Sequence, residues 1–564
     1  MIGQNERQQT LPANNGFRFR LGWRAPASAV LFLIIPICFV ISVSQLTHAK
    51  GPQWLPYTFE NSYNYLLNSL LLVEGRAPPY IMHPGTTTQA FGALILRGSS
   101  LASTDELVRS TLRSPEKQIK KLHEALLVFT ALILWIFPWF TAVLLRDYAV
   151  GLLIQAPTLF YRTLLYWGIL FGPELMNVGF SVAAICCCVL LLVPSAVSER
   201  ELLLGIVLGF VKPPAIPGSP RLLRIPLLPA LAGMVCAFGT VTKLIFFPLI
   251  LIALLCCRTR RNVASFMVAF VLGLALALLP IYPQIPRLMT WIFDLSFHSG
   301  HYGAGPLGFP DISAYLTSLS GLFETEPLFI IISSVTVVVV IGLSLLPTEQ
   351  KDVLTVSGRT ALLVFGLQAV SYLIIAKDGS PRYLIPLVLT SGLSLVLLFY
   401  VFQSSHRTIK QAIGWVTLIG LLFLGCKDFV EYMPRTYENL RAETADQLRL
   451  YREAKEITKH DVRVDYFFSD SPELPLCNGN NTTEGAFGPV LASLYPNELF
   501  FNVFNGKFQT FTEFIEPEVV MQKYDHLYFF GNLSFFPKVD GFDPTTFKTI
   551  DHAGAYYLQK WIRK

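Results

Sequence analysis

Long apolar runs separated by basic loops constrain this chain more than any other feature. Such runs lie near 27–46, 122–146, 149–171, 174–194, 262–283, 327–346, 359–376, 383–402 and 411–427. Each has about 17–25 residues, enough to cross roughly 30 Å of hydrocarbon at about 1.5 Å per residue. The stretch 226–257 is too long for one crossing and carries Lys243 in its middle. A charge at the bilayer centre costs about 2.5–3.5 kcal/mol or more. Two shorter helices with Lys243 at their junction avoid that cost, which brings the expected crossings to about 11.

Composition agrees. Only 15% of the residues are charged and the mean hydropathy is +0.49, whereas a soluble domain has about 25% charged residues. The deficit lies before residue 428, so the expected fold class is an α-helical polytopic membrane protein with a small C-terminal soluble α/β domain. The expected division is a transmembrane part over 1–427 and a soluble domain over 428–564. In the latter, 436–458 reads as a charged helix, and Val462–Phe468, Leu499–Phe504, Leu527–Phe530 and Tyr556–Leu558 read as strands between Gly, Asn and Pro turns. The net charge of +6 is spread over loops and implies no nucleic-acid partner. All cysteines but Cys477 lie in or beside apolar runs, with no disulfide framework and no paired-cysteine metal motif.

Basic residues orient the chain. Arg18, Arg20 and Arg24 precede the first run and place the N-terminus inside. Alternation then puts Arg146, Arg200 to Arg224, Arg258 to Arg261, Lys351 and Arg407 with Lys410 on the same side. One loop conflicts: 103–121 holds Arg109, Arg113, Lys117, Lys120 and Lys121, yet falls outside. Residues 212–220 read as an inside proline-rich linker. The outside face collects Glu60, His83, Glu174, Lys243, His298 to Asp311, Lys377 to Tyr383 and the C-terminal domain.

The first outside loop is the most informative. Glu60 sits in Phe59-Glu60-Asn61-Ser62-Tyr63, and a turn, His83-Pro84-Gly85-Thr86-Thr87, follows. Between them Tyr63 to Val73 reads as an amphipathic helix in the interface, and Thr88 to Leu96 as a second one. Glu174, in Gly172-Pro173-Glu174, either hydrogen-bonds a sugar or serves as a favourable charge at a helix N-terminus. Lys243 and Arg382 suit a lipid phosphate, although long cations also snorkel to headgroups. His298 and His301 could begin a metal site, but no third ligand is near, and the glycine-rich run around them reads as a substrate-covering loop. Asn480, Asn481 and Asn532 match the N-glycosylation pattern.

This layout resembles the polytopic C-type glycosyltransferases (GT-C), the group that contains protein O-mannosyltransferases and bacterial aminoarabinose transferases. Glu60-Asn61-Ser62-Tyr63 and His83-Pro84-Gly85-Thr86-Thr87 are similar to the acidic and His-Pro motifs of bacterial members, with Glu where Asp is common. The resemblance implies that Glu60 is the catalytic base. It implies a polyprenyl-phosphate-linked sugar donor, a glycan, lipid or protein acceptor, and inversion at the anomeric carbon. His83, Glu174, Lys243, His301, Arg382 and Tyr383 are the expected substrate-binding residues. No cofactor is expected. The expected setting is a bacterial inner membrane with the C-terminal domain in the periplasm. Two other readings remain: a transporter or flippase of a lipid-linked or polar solute, which calls for midplane charges and repeated halves, and a non-catalytic scaffold.

Overall fold

The computed structural model describes residues 25–55, 62–82, 85–192, 226–344, 351–403, 408–466, 470–535 and 547–563. Glu60 and His83, and the proline-rich run 212–220, lie outside these residues.

Among the described residues six helices are long and apolar enough to cross a membrane: Ser28–Lys50, Pro115–Leu145, Pro173–Leu192, Arg260–Phe297, Pro381–Gln403 and Gln411–Ile457. A seventh crossing results if Ile312–Thr325 and Pro327–Gly342, bent by 83° at Glu326, count as one. Four further apolar helices are shorter: Tyr148–Phe160, Leu227–Thr242, Leu244–Cys256 and Thr360–Ile375. The described residues thus do not confirm the expected number of about 11 crossings. The expected span 149–171 is broken into Tyr148–Gln155, Pro157–Phe160 and Arg162–Trp167. Pro157 begins the second piece, where its missing N–H costs nothing. Around Lys243 the expected break is present. Leu227–Thr242 ends, Lys243 is extended (φ −160°, ψ 128°), and a short 3-10 turn leads into Phe247–Cys256.

The last crossing is a single helix, Thr408–Ile457, that leaves the apolar zone and continues as the charged helix expected near 436–458. It carries the chain into a sheet made of β1 (Arg463–Asp465), β2 (Leu499–Asn502), β3 (Lys507–Gln509), β4 (Phe514–Ile515), β5 (His526–Asn532), β6 (Phe547–Ala553) and β7 (Tyr556–Ile562). The order is β4-β3-β2-β1-β5-β7-β6. β1 pairs in parallel with both β2 and β5, and the outer pairs are antiparallel. The five central residues of β5 are all buried, as a strand covered on both faces requires.

The helix Glu473–Thr482 changes the reading of the first outside loop. The helix Ser62–Val73 does not lie with one face in the interface: Ser62 to Leu71 are all buried. Glu473–Thr482 lies across it. Asn68 Nδ2 donates to Thr482 Oγ1 at 3.0 Å, and a Cβ on Gly479 would touch the Tyr63 backbone at 3.3 Å. Tyr495 Oη donates to the Leu112 carbonyl at 2.9 Å, and the Trp54 and Tyr451 rings pack at 5.3 Å. The helix after β1 and the stretch that follows Glu60 in the chain are thus packed together. Asn480 of the glycosylation pattern is buried and bonded to the Phe511 carbonyl, whereas Asn481 is exposed.

Side of the membrane is tested with single cysteines at Arg261 and Asn505 in a Cys426→Ser background, since Cys426 is exposed. An impermeant maleimide applied to intact cells should label Asn505→Cys and spare Arg261→Cys. The reverse pattern would overturn the orientation.

The soluble domain buries charge. Arg463 grips Asp465 with two hydrogen bonds, 2.8 and 3.1 Å, beneath the Tyr451 ring. Burial, with Asp465 and Glu473 nearby, pushes the Glu498 carboxyl up to about 7. A carboxyl raised on folding favours the native state below its ordinary value, and that contribution fades as pH rises through about 7. Glu498→Gln should therefore raise the thermal midpoint of the domain above pH 7 by the equivalent of about 1–3 kcal/mol and flatten its decline from mildly acidic pH. Parallel melting curves at several pH values check this.

Candidate active site

Three helix ends meet near the soluble domain and bring together residues far apart in the chain. Glu174 occupies the first turn of Pro173–Leu192, where backbone N–H groups favour an anion. Lys243 closes the C-terminus of Leu227–Thr242, where carbonyls favour a cation. Their side chains form an ion pair, Lys243 Nζ donating to Glu174 Oε1 at 2.6 Å, with both groups almost fully buried. Glu174 thus stands as a charge at a helix N-terminus, one of the two roles expected of it.

The third element is the 3-10 turn Pro381–Leu384, entered from Gly379 at φ +64°. It aims Arg382 and Tyr383 inward, and both are buried. Lys243 Nζ lies over the Tyr383 ring at 4.9 Å, while the Arg382 guanidinium sits 5.4 Å from the Trp167 ring and 5.2 Å from the Tyr383 ring. Each ring presents its negative face to a cation. Glu174, Lys243, Arg382 and Tyr383 therefore form one connected cluster.

Sequence reasoning did not single out Tyr302. It lies one residue after His301 on the outside loop, in the left-handed region (φ 55°, ψ 26°) that bulky residues avoid. Asp378 Oδ1 holds its backbone N–H at 3.2 Å. Its hydroxyl accepts from Arg382 Nη2 and from Tyr383 Oη, the latter at 3.2 Å. The only hint in the sequence was the glycine-rich setting. His301 opens the same turn.

The residues flanking Glu60 and His83 adjoin this cluster. Ser62 Oγ accepts from the Phe171 N–H at 3.1 Å, three residues before Glu174. Gly85 donates its N–H to the Thr242 carbonyl at 3.2 Å, next to Lys243, and Thr87 and Thr242 share a hydrogen bond at 2.6 Å. Gly85 stands at φ +61°, and a Cβ there would come within 2.7 Å of the Tyr65 ring. Glycine is therefore required at this turn on two counts. Behind the loop, Glu116 accepts from the N–H groups of Gln53 (2.7 Å) and Trp54 (3.2 Å) and from the Tyr63 hydroxyl. One carboxylate thus holds both sides of the segment that carries Glu60.

One turn inward from Glu174, Asn177 is fully buried, and its amide makes no hydrogen bond among the described residues. Its donor and acceptor would suit a polar ligand group. Among the described residues no cluster of three or more His, Cys, Asp or Glu is placed to hold a metal ion.

No family model matches the chain, and no curated protein matches it. Several solved structures resemble it. ArnT from Cupriavidus metallidurans, bound to undecaprenyl phosphate, is 9% identical, with a TM-score of 0.44, over 95% of this chain and 98% of that one. The Archaeoglobus fulgidus oligosaccharyltransferase in its apo form is 11% identical, with a TM-score of 0.38, over 85% of this chain and 60% of that one. The Archaeoglobus fulgidus oligosaccharyltransferase AglB, in complex with an inhibitory peptide and a dolichol-phosphate, is 9% identical, with a TM-score of 0.40, over 89% and 69%.

Proposed function

We propose that this protein is a membrane glycosyltransferase that moves a sugar from a polyprenyl-phosphate carrier to an acceptor at the outer face of a bacterial inner membrane. The observation that carries the reading is the buried cluster of Lys243, Arg382 and Tyr383 against Glu174. A transporter needs charges along a path through the midplane. Here they gather at helix ends on the side of the soluble domain, beside the flanks of the first loop.

In this reading the lipid phosphate approaches Arg382, whose fork fits two phosphate oxygens. Tyr302 and Tyr383 share that guanidinium and offer hydroxyls to the same oxygens. Lys243 adds positive charge, and Glu174 keeps it in place. Glu60 takes the proton from an acceptor hydroxyl as the oxygen attacks the anomeric carbon. The carbon–oxygen bond to phosphate breaks with its electron pair, and the carrier phosphate leaves. A single displacement of this kind inverts the anomeric centre. His83 and His301 flank the sugar, and Asn177 gives the inner wall a donor and an acceptor. The leaving phosphate is stabilised by fixed cations in a dry setting.

The test is sugar transfer from radiolabelled polyprenyl-phosphate donors in membranes carrying the chain. Transfer by wild type that falls for Arg382→Ala with a raised donor KM supports the reading. No transfer with any donor, together with uptake of a labelled polar solute, would favour a transporter.

A further inference from the structure

The loop that violates the basic-residue rule has a structural explanation. Pro115–Leu145 has 31 residues, about ten more than a crossing needs, so its first turns stand beyond the hydrocarbon. Those turns expose Lys117, Lys120 and Glu124, with Lys121 partly exposed. At about 100° per residue, these four positions fall within an arc of roughly 100°. Val128 continues the same arc toward the membrane interior and Leu132 borders it, and Val128 is 55% and Leu132 45% exposed. A helix face bearing exposed Val and Leu inside an apolar crossing faces lipid acyl chains. The same face one or two turns outward therefore stands in the headgroup layer.

Neighbouring structure adds to the patch. Lys121 Nζ donates to Ser99 Oγ, which brings the end of the helix Thr86–Gly98 alongside. That end exposes Arg97, with Leu94 69% exposed one turn before it. Leu101 stands fully exposed at the tip of the intervening loop. Arg109 and Arg113 are exposed on Thr104–Arg113, whose apolar Leu107, Val108 and Leu112 are buried against the protein. Exposed acidic groups nearby are Asp105, Glu106 and Glu124, against six basic residues. Apolar tips beside cations are what a surface touching both acyl chains and phosphates requires.

We propose that Arg97, Lys117, Lys120 and Lys121, with the Leu94 and Leu101 tips, form a docking surface for anionic phospholipid headgroups of the leaflet on the soluble-domain side. The positive charge that topology would keep inside is held outside because it is matched by lipid phosphate. The inference rests on the membrane placement of the helix and not on sugar transfer.

The experiment uses the full chain in nanodiscs of phosphatidylcholine mixed with phosphatidylglycerol, with retained lipid counted by native mass spectrometry. Wild type should retain phosphatidylglycerol in preference to phosphatidylcholine. The variant carrying Arg97→Gln, Lys117→Gln, Lys120→Gln and Lys121→Gln should lose about tenfold or more of that preference. Replacing the three lysines by Arg, which keeps the charge, should preserve it, and raising salt should weaken it. Equal retention of the two lipids by wild type would overturn the proposal. So would an undiminished preference in the quadruple Gln variant.

Discussion

Lys243→Met should destabilise the membrane part by about 3–5 kcal/mol. The methionine fills much the same volume, so the loss is not one of packing. It leaves Glu174 facing an apolar wall with its charge unmatched, since the pair is buried on both sides and closes at 2.6 Å. Removing both charges is a different experiment. Glu174→Gln with Lys243→Met leaves no orphaned ion and should recover most of the lost thermal midpoint, because a buried pair replaced as a unit is often neutral or better. Transfer should nevertheless stay absent in the double variant if Lys243 serves the donor phosphate. Recovery of stability without activity separates a functional cation from a structural one. A single Lys243→Met variant that melts with wild type in detergent would show that the pair is solvated, and the site would lose its central member.

The break at Lys243 was legible because a lysine amid apolar residues is costly enough to force an interruption. Its partner was not legible. Glu174 lies 69 positions earlier, and only the packing of Pro173–Leu192 against Leu227–Thr242 brings the two helix ends together. Composition near 428 marks a change of surroundings and not a break in the backbone. The drop in hydropathy near 428 reads as a boundary between parts, yet Thr408–Ile457 continues unbroken across it. Hydropathy reports the surroundings of a helix, lipid or water, whereas backbone hydrogen bonds continue through both. The broken stretch 148–167 was misread for the converse reason. Its residues are mostly apolar, but Pro157 and Arg162 begin new helical pieces. The burial of Ser62 to Leu71 depends on a cover supplied some 410 residues later by Glu473–Thr482, which no local pattern announces. Tyr302 entered the site through the left-handed backbone of its own turn, and a turn of that kind is specified by Asp378 from outside the loop.

Glu60→Gln should lower sugar transfer by about 10²–10⁴ while leaving donor binding nearly intact. The change keeps shape and hydrogen-bonding capacity and removes basicity alone. Donor binding in this reading belongs to Arg382 and Lys243, which are held by Tyr302, Tyr383, Trp167 and Glu174. Arg382→Ala should show the other balance, with KM for the donor rising as well as turnover falling, because a phosphate loses its bidentate partner. Glu116→Gln gives a third pattern. It weakens the hold on Gln53, Trp54 and Tyr63 that brackets the Glu60 segment, so turnover should fall with donor affinity retained. Unlike Glu60→Gln, it should recover as a good hydrogen-bonding network is restored by Glu116→Asp. Wild-type transfer by Glu60→Gln would remove Glu60 as the base and point to Asp378 or Glu174 instead. Loss of donor binding in that variant would show that the carboxylate orders the pocket rather than accepting a proton.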